Sequence, residues 1–279
     1  MGSPLFSIII VNYNHGAFLE EAVLSVLNQA CQDFELVIVD GGSTDKSVEI
    51  IRKYSDRIAW WCSEKDDGQS DAFNKGFSHA RGLFGCWLNA DDIMMPHVIK
   101  NVKSFIEMHP YAEWICGGSV FCDSDMKVVW CSRCQRNLSF LTRWISFISV
   151  NGPSSFFKLS KLHQIKGFNT QLHYTMDIDL WLRFYKANMR LHYLQMYFWG
   201  FRIHTHSKTS HKFMTNVSTS EFRNESCENL EKHGITNFKK IIIVRTCQII
   251  RLLSCVYLLS YLDTKRYRGS SVYVIKEQK

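Results

Sequence analysis

Four short polar clusters punctuate the first 92 positions of the 279-residue chain, each directly after an apolar run. They are Asn12-Tyr13-Asn14, Asp40-Gly41-Gly42-Ser43, Glu64-Lys65-Asp66-Asp67-Gly68 and Asn89-Ala90-Asp91-Asp92. Asp and Asn are common turn formers, so any one cluster alone reads as loop chemistry. Four at equivalent points read as one polar rim. Carboxylates on such a rim would repel a diphosphate unless they hold a divalent cation that bridges to it. Asp91 and Asp92, with Asn89 behind them, supply oxygens of the kind that bind Mg2+ or Mn2+ while leaving positions open for water and phosphate. Asp40 is then free to accept hydrogen bonds from a base or ribose. No G-x-G-x-x-G follows the first apolar run and no G-x-x-x-x-G-K-[ST] is present, so neither a dinucleotide cradle nor a P-loop is expected.

These clusters need a scaffold that brings them to one edge. Apolar runs at 6–11, 36–39, 58–62 and 83–88 are each followed by a polar turn and then a helical period. The helical stretches read as 17–28, 48–54 with Ser43 and Thr44 in N-cap position, 69–79, and one starting near Pro96, a residue preorganised for a first turn. Continuous apolar strands alternating with helices predict an α/β fold, a mostly parallel sheet with helices on both faces. In such a sheet ligands bind outside the carboxyl ends of the strands, where all four clusters fall. Beyond Pro110 the alternation weakens. Strands are expected at 113–121 and 127–131 around a turn at 123–125, and again at 154–159. Helices are expected at 138–150, 179–187 and 221–234, with a polar loop at 207–219.

Composition bounds the remaining possibilities. With 46% hydrophobic and 21% charged residues, a chain of this length buries a full core, and disorder is excluded. The formal charge of +7 belongs to the C-terminal segment: nine Lys and Arg from Phe238 onward face only Asp263 and Glu277, leaving the first 237 residues neutral. That is not the basic footprint of a nucleic-acid-binding body. Ten cysteines include one C-x-x-C, Cys131-Ser-Arg-Cys134, without a second pair at zinc-finger spacing; they read as free thiols in a reducing compartment. No apolar run reaches 18 residues and the N-terminus shows no signal pattern, so a cytoplasmic location is expected. Residues 239–262 are apolar nearly all round, punctuated by Lys240, Arg245 and Arg251 and followed by Lys265-Arg266-Tyr267-Arg268. Two readings stay open there: a helix packed on the body, or a helix lying on an anionic membrane face.

Taken in order, Phe6-Ser-Ile-Ile-Ile-Val-Asn-Tyr-Asn14, Val37-Ile-Val-Asp-Gly-Gly-Ser-Thr-Asp45, Ser63-Glu-Lys-Asp-Asp-Gly-Gln-Ser-Asp-Ala-Phe-Asn-Lys-Gly76 and Trp87-Leu-Asn-Ala-Asp-Asp92 resemble the successive motifs of family 2 glycosyltransferases with the GT-A fold. Downstream, Pro153-Ser-Ser-Phe-Phe157, Gly167-Phe-Asn169 and Met176-Asp-Ile-Asp-Leu-Trp-Leu-Arg183 resemble that family's acceptor half. The resemblance implies a Rossmann-like sheet with a nucleotide-sugar-binding half (1–95), an acceptor-binding half (96–215) and a helical basic extension (216–279). It further implies that Asn12, Tyr13 and Asn14 line a uridine pocket, that Asp40 contacts uracil or ribose, and that Asp67 and Gly68 close the base side. Asp91 would be the principal metal ligand, with Asp92 beside it. Asn89 stands where the family's motif usually has Asp, which keeps a ribose contact but lowers the local charge. Asp177 matches the general base of inverting members, with Met176 where Glu is frequent. His204 matches a position where some members place a His near the metal or diphosphate. Asp179 reads instead as a helix N-terminal acid favoured by the dipole.

The implied activity is inverting, Mn2+- or Mg2+-dependent transfer of a sugar from a UDP-sugar to a hydroxyl of a glycan or lipid-linked glycan. Trp144, Tyr174, Trp181 and Trp199 are candidates for stacking on sugars, though large aromatics are more often core. Two alternatives stay open. A nucleotidyltransferase on the same sheet type would want a Gly-rich basic loop after the first strand, and residues 12–16 offer none. A non-catalytic nucleotide- or glycan-binding module would tolerate loss of Asp91 or Asp177, and both are present. The basic segment 238–268 favours a lipid-linked acceptor at the inner face of the cell membrane, as in bacterial surface polysaccharide assembly.

Overall fold

The computed structural model describes residues 2–134, 150, 152–205, 207, 220–235 and 255–275, together with positions 245, 249 and 252. Strand β1 (Phe6–Asn12) shows why its apolar run is unbroken: all seven residues are buried. Ile8 and Ile10 face one core with α1 (Leu19–Leu27), α2 (Ser47–Lys53) and α4 (Val98–Met108). Ile9 and Val11 face a second core with α3 (Gln69–Ser78) and α6 (Met176–Lys186). A strand covered on both faces has no polar side to alternate with.

β1 pairs in parallel with β2 (Phe34–Asp40) and β4 (Phe84–Asn89), and β2 with β3 (Trp60–Ser63). The register sets Asn12 opposite Asp40, Asp40 opposite Ser63, and Asn89 opposite Val11, so the polar clusters emerge at one edge. The sheet continues without a break into the second half through β8 (Ser155–Lys158), β6 (Trp114–Cys122), β9 (Leu191–Arg202) and β5 (Ile93–Met94), with β7 (Val128–Ser132) on β6. Here β6 and β9 are parallel, while β8, β7 and β5 run antiparallel to their neighbours.

Several elements depart from the pattern expected of the sequence. The twelve-residue β9 was not expected, nor the short α5 (Leu159–Gln164). Helix α6 begins at Met176 rather than 179, which places both Asp177 and Asp179 in its first turn. Ser43 and Thr44 do not cap α2, which starts at Ser47; the Oδ1 of Asp45 accepts the Ser47 N–H there at 2.9 Å. The helix expected at 138–150 and most of the loop at 207–219 lie outside the described residues.

The extension folds back onto the body. Helix α7 (Ser220–Lys232) lies against the start of α6, and α8 (Val256–Tyr267) against β7. Asp263 on α8 accepts bonds from Arg133 at 2.6 and 3.1 Å and from Tyr197, and Thr264 accepts the Cys131 N–H at 2.9 Å. The opposite face of α8 leaves Leu258 55% and Tyr261 62% exposed. Among the described residues one face of α8 therefore packs on the body and the other is apolar and outward, while most of residues 239–254 lies outside the described residues. No helix among the described residues is long and apolar enough to cross a membrane.

Candidate active site

The carboxyl ends of β1 and β4 open into a cleft of about 460 Å³, roofed by the segment before α6 and the loop before β8. Its lining includes Asn12, Tyr13, Asp66, Gly68, Gln69 and Asn89. Gly68 precedes α3 with φ +106, a conformation L side chains rarely adopt. His173, Tyr174, Met176 and Asp177, at and just before the start of α6, line it as well.

The loop after β4 carries the acidic pair in two different environments. Asp91 faces the cleft, and its Oδ2 lies 3.0 Å from His204 Nε2 and 3.6 Å from His15 Nδ1. The ligand atoms of these three residues all lie within 4.8 Å of one another. Asp92 is the correction: expected as a second ligand, it is turned inward at 1% exposure with both oxygens engaged. They accept the Arg202 N–H and the Asn89 amide, each at 3.0 Å. Burial, and then the charge of Asp91, push the Asp92 carboxyl well above its ordinary value. His15, unforeseen in the sequence, occupies the place expected of Asp92. The Asn at 89 also finds a reason here. Its amide can donate to Asp92 while its carbonyl accepts from Gln69 at 2.9 Å, where a carboxylate would repel.

Arg202 holds this loop from beneath. Buried to 2% exposure, it donates from Nε to the Asp91 carbonyl at 2.9 Å and from Nη1 to the Ser124 carbonyl at 2.7 Å, and it pairs with Glu21. Its guanidinium lies 4.7 Å from the Phe18 ring centre, and the same ring packs on His204 at 4.6 Å. Such a buried cation is stabilised only when its donors are satisfied, which fixes the geometry of everything it touches.

The remaining predicted residues divide. Asn12 and Tyr13 line the cleft, Tyr13 with 62% of its surface open for stacking. Asn14 does not line it; its side chain accepts the Thr44 N–H at 2.9 Å. Asp40 lies beneath the floor, fully buried. Its carboxylate accepts the Ser43 N–H at 2.9 Å and the Ser43 and Ser63 hydroxyls at 2.6 Å, besides the Asn12 amide. A base or ribose would have to displace one of those donors to reach it. Asp67 is exposed and outside the lining; Asp66 takes that position, its carboxylate over Gly41, where an added Cβ would come within 2.5 Å of it.

Asp177 sits partly open on the cleft wall, its Oδ1 accepting its own helix's Ile178 N–H at 2.8 Å. Burial pushes its carboxyl up to about 6, against backbone bonds that pull it down. Asp179 belongs to the structure instead. It is buried against Arg183 at 2.7 Å and His233 at 2.9 Å, and although burial raises it, those partners hold it below the usual range. Trp181 is core, stacked 5.1 Å from both Trp87 and Trp114; Trp199 and Tyr174 reach the cleft, and Trp144 lies outside the described residues.

The family model described as Glycosyl transferase family 2 matches residues 7–156, more than half of the chain. The chain is similar to an uncharacterised glycosyltransferase of Rickettsia prowazekii, 28% identical over 193 residues, covering 67% of this chain and 60% of the relative. It is also similar to a PGL/p-HBAD biosynthesis glycosyltransferase of Mycobacterium bovis, 36% identical over 121 residues, 42% of this chain and 47% of the relative. The chain thus spans about three fifths or less of the length of these relatives. Among solved structures it superposes on S. aureus TarS 1–349 in complex with UDP-GlcNAc at TM-score 0.62 and 20% identity, covering 80% of this chain and 65% of that one. It superposes on the mannosyltransferase PcManGT from Pyrobaculum calidifontis, in complex with GDP-Man and Mn2+, at TM-score 0.60 and 14% identity, covering 99% and 79%. The architecture is therefore that of the GT-A glycosyltransferases. With the family model covering most of the parallel half and the sheet continuing in that architecture, the chain belongs to glycosyl transferase family 2.

Proposed function

We propose that this protein is an inverting, metal-dependent glycosyltransferase that moves a sugar from a UDP-sugar to a hydroxyl of a glycan or lipid-linked glycan. One observation carries the reading: Asp91 and His15 of the Asp91–His15–His204 cluster line the same cleft as Asp177. Asn12, Tyr13 and Gly68 line the side on which a uridine would lie.

The two imidazoles and one carboxylate fit a divalent transition ion. Nitrogen donors suit Mn2+ better than Mg2+, which prefers an all-oxygen shell. Asp91, His15 and His204 would hold it. When bound, the ion supplies Lewis-acid stabilisation of the departing diphosphate. The chain's own residues do the rest. Arg202 keeps the Asp91 loop in place, and Tyr13 offers an aromatic face to a base. Asp177 accepts the proton of the attacking hydroxyl. With its carboxyl near 6 it is largely ionised at neutral pH, yet more basic than an ordinary aspartate, which suits a general base. In-line attack by a hydroxyl deprotonated at Asp177, with the diphosphate leaving toward the metal cluster, would invert the anomeric carbon.

The acceptor is proposed to be membrane-borne. The outward face of α8 is apolar, with Leu258, Tyr261 and Leu262 exposed, its last turn carries Lys265 and Arg266, and Arg268 follows, a pairing of aliphatic surface and cations that favours an anionic bilayer. A thermal-shift screen of UDP- and GDP-sugars with Mn2+ tests the donor half, since a bound donor stabilises the fold. Mn2+-dependent stabilisation by a UDP-sugar, lost in Asp91→Ala, is expected. Stabilisation by GDP-sugars alone, or equal shifts in Asp91→Ala, would contradict the donor or the metal assignment respectively.

A further inference from the structure

His173 and Tyr174 line the cleft and lead through the buried Thr175 straight into α6, whose first residues are Met176 and Asp177. A helix start needs partners for its leading N–H groups. Thr175, in the N-cap position of α6, makes no side-chain bond to its own helix. The N–H groups of the N-cap and the two residues before it are met from elsewhere. Glu225 on α7 accepts the His173 N–H at 2.9 Å on Oε2, and the Tyr174 N–H at 2.8 Å and Thr175 N–H at 2.7 Å on Oε1. The Thr175 hydroxyl donates to the same Oε1 at 2.9 Å. Four donors thus converge on one carboxylate.

Asn229 on α7 and His233, one residue past its end, repeat the contact at helical spacing. Asn229 donates to the Thr175 carbonyl at 3.2 Å and to its Oγ1 at 3.0 Å, and His233 meets Asp179 at 2.9 Å. Glu225, Asn229 and His233 lie four residues apart and so share one helix face. Those backbone bonds outweigh burial and hold the Glu225 carboxyl below the ordinary glutamate range. It is therefore ionised wherever Asp177 is. A negative charge at a helix N-terminus also favours the dipole of α6.

Resting on the assignment of Asp177 as base, we infer that Glu225 is a positioning residue: through the His173–Thr175 backbone it fixes where Asp177 stands relative to the donor. The inference lies outside residues 7–156, the stretch matched by the family model. It makes α7 a working part of the acceptor side and not a decoration on it. Gln at 225 would replace one acceptor oxygen with a donor facing N–H groups, and would remove the charge. Asp would keep the charge with a shorter reach.

The test measures Mn2+-dependent UDP release to water from UDP-glucose, UDP-galactose and UDP-N-acetylglucosamine, alongside calorimetric binding of UDP with Mn2+. The native protein, Glu225→Gln, Glu225→Asp, Asn229→Ala and Asp177→Asn are compared below their unfolding temperatures. Glu225→Gln is expected to lower kcat about ten- to hundred-fold, because small displacements of a reacting group are costly. Its KM for the sugar nucleotide and its UDP affinity should stay within about two-fold of native. Glu225→Asp should recover part of kcat, and Asn229→Ala should lose less than Glu225→Gln. An inert Asp177→Asn beside a Glu225→Gln with native kcat would overturn this inference alone. So would Glu225→Gln losing UDP affinity and kcat in equal measure, the mark of a purely structural role. Native turnover in Asp177→Asn would overturn the base assignment, and this inference with it.

Discussion

At the scale of single residues, the cleft assigns opposite duties to neighbouring acids. Asp91 faces the cleft and two imidazoles, while Asp92 faces a backbone N–H and an amide. Asp92→Asn should therefore spare Mn2+ affinity and cost stability by about 1–3 kcal/mol, because the new amide would meet the Asn89 amide or the Arg202 N–H donor to donor. His204→Ala should do the reverse, weakening Mn2+ by at least roughly tenfold with a smaller effect on unfolding. Metal titration and urea unfolding of the two variants separate these outcomes; a Mn2+ defect in Asp92→Asn as large as in His204→Ala would contradict the division. Asp177 carries a cost of its own. Its carboxyl is raised in the folded protein to about 6, so the native state binds more protons than the unfolded one between the ordinary aspartate value and 6. This contribution to stability is complete below that window and is lost as pH rises through it. Urea unfolding at pH 5 and pH 8 should show native stability falling by on the order of 1–2 kcal/mol more than in Asp177→Asn. The rate of UDP release should climb through the same window and level off above it, as a base needs to be ionised. A rate independent of pH between 5 and 7 would contradict the role of Asp177.

At the scale of elements, the rim depends on how closely α3 rests on the sheet. Gly76 allows that approach: a Cβ there would stand 2.4 Å from Ile9 Cγ2 and 3.2 Å from Val39 Cγ2. Ala is favoured over Gly in a helix by about 1 kcal/mol, but overpacking a tight core costs about 1–3 kcal/mol. The clash should win, and Gly76→Ala should lower stability by about 1 kcal/mol or more. Unfolding by urea checks this; a stabilised variant would mean α3 is free to shift. These parallel elements were legible in the sequence because strands covered on both faces leave continuous apolar runs, and each run ends at its polar cluster. Asp91 and Asp177 were legible through the motifs around them. What escaped the sequence depends on contacts between distant segments. His15 sits three residues past β1 and becomes a partner of Asp91 only through the pairing of β1 with β4. Asp66 and Asp67 are indistinguishable until the turn decides which one faces Gly41. Glu225 lies in a charged helix whose pattern shows only that it is a helix, and nothing local points to the N-H groups it gathers. The strand β9 hid because its first half is only partly buried and its second half wholly so, which blurs the alternation.

At the scale of the whole molecule, the extension braces both walls of the cleft. Glu225 holds the side of Asp177. Tyr273, near the other end of the described chain, donates to Glu21 at 2.6 Å, Glu21 pairs with Arg202, and Arg202 holds the Asp91 loop. Deleting residues 238–279 would therefore remove Asp263 and Tyr273 along with any membrane-facing surface, and is a poor test of membrane binding. Leu258→Glu with Leu262→Glu alters only the outward face of α8. That double variant should lose most of its co-sedimentation with phosphatidylglycerol vesicles while keeping native Mn2+ affinity. Undiminished sedimentation would refute a membrane role for this face. The account as a whole rests on one cleft in which metal-side and base-side groups act on the same sugar. Its most direct test compares UDP binding with Mn2+ and UDP-sugar turnover in a single preparation of Asp177→Asn. UDP affinity within about two-fold of native, together with turnover reduced by about two to four orders of magnitude, is the predicted result. Turnover at the native rate, with UDP bound as usual, would contradict it.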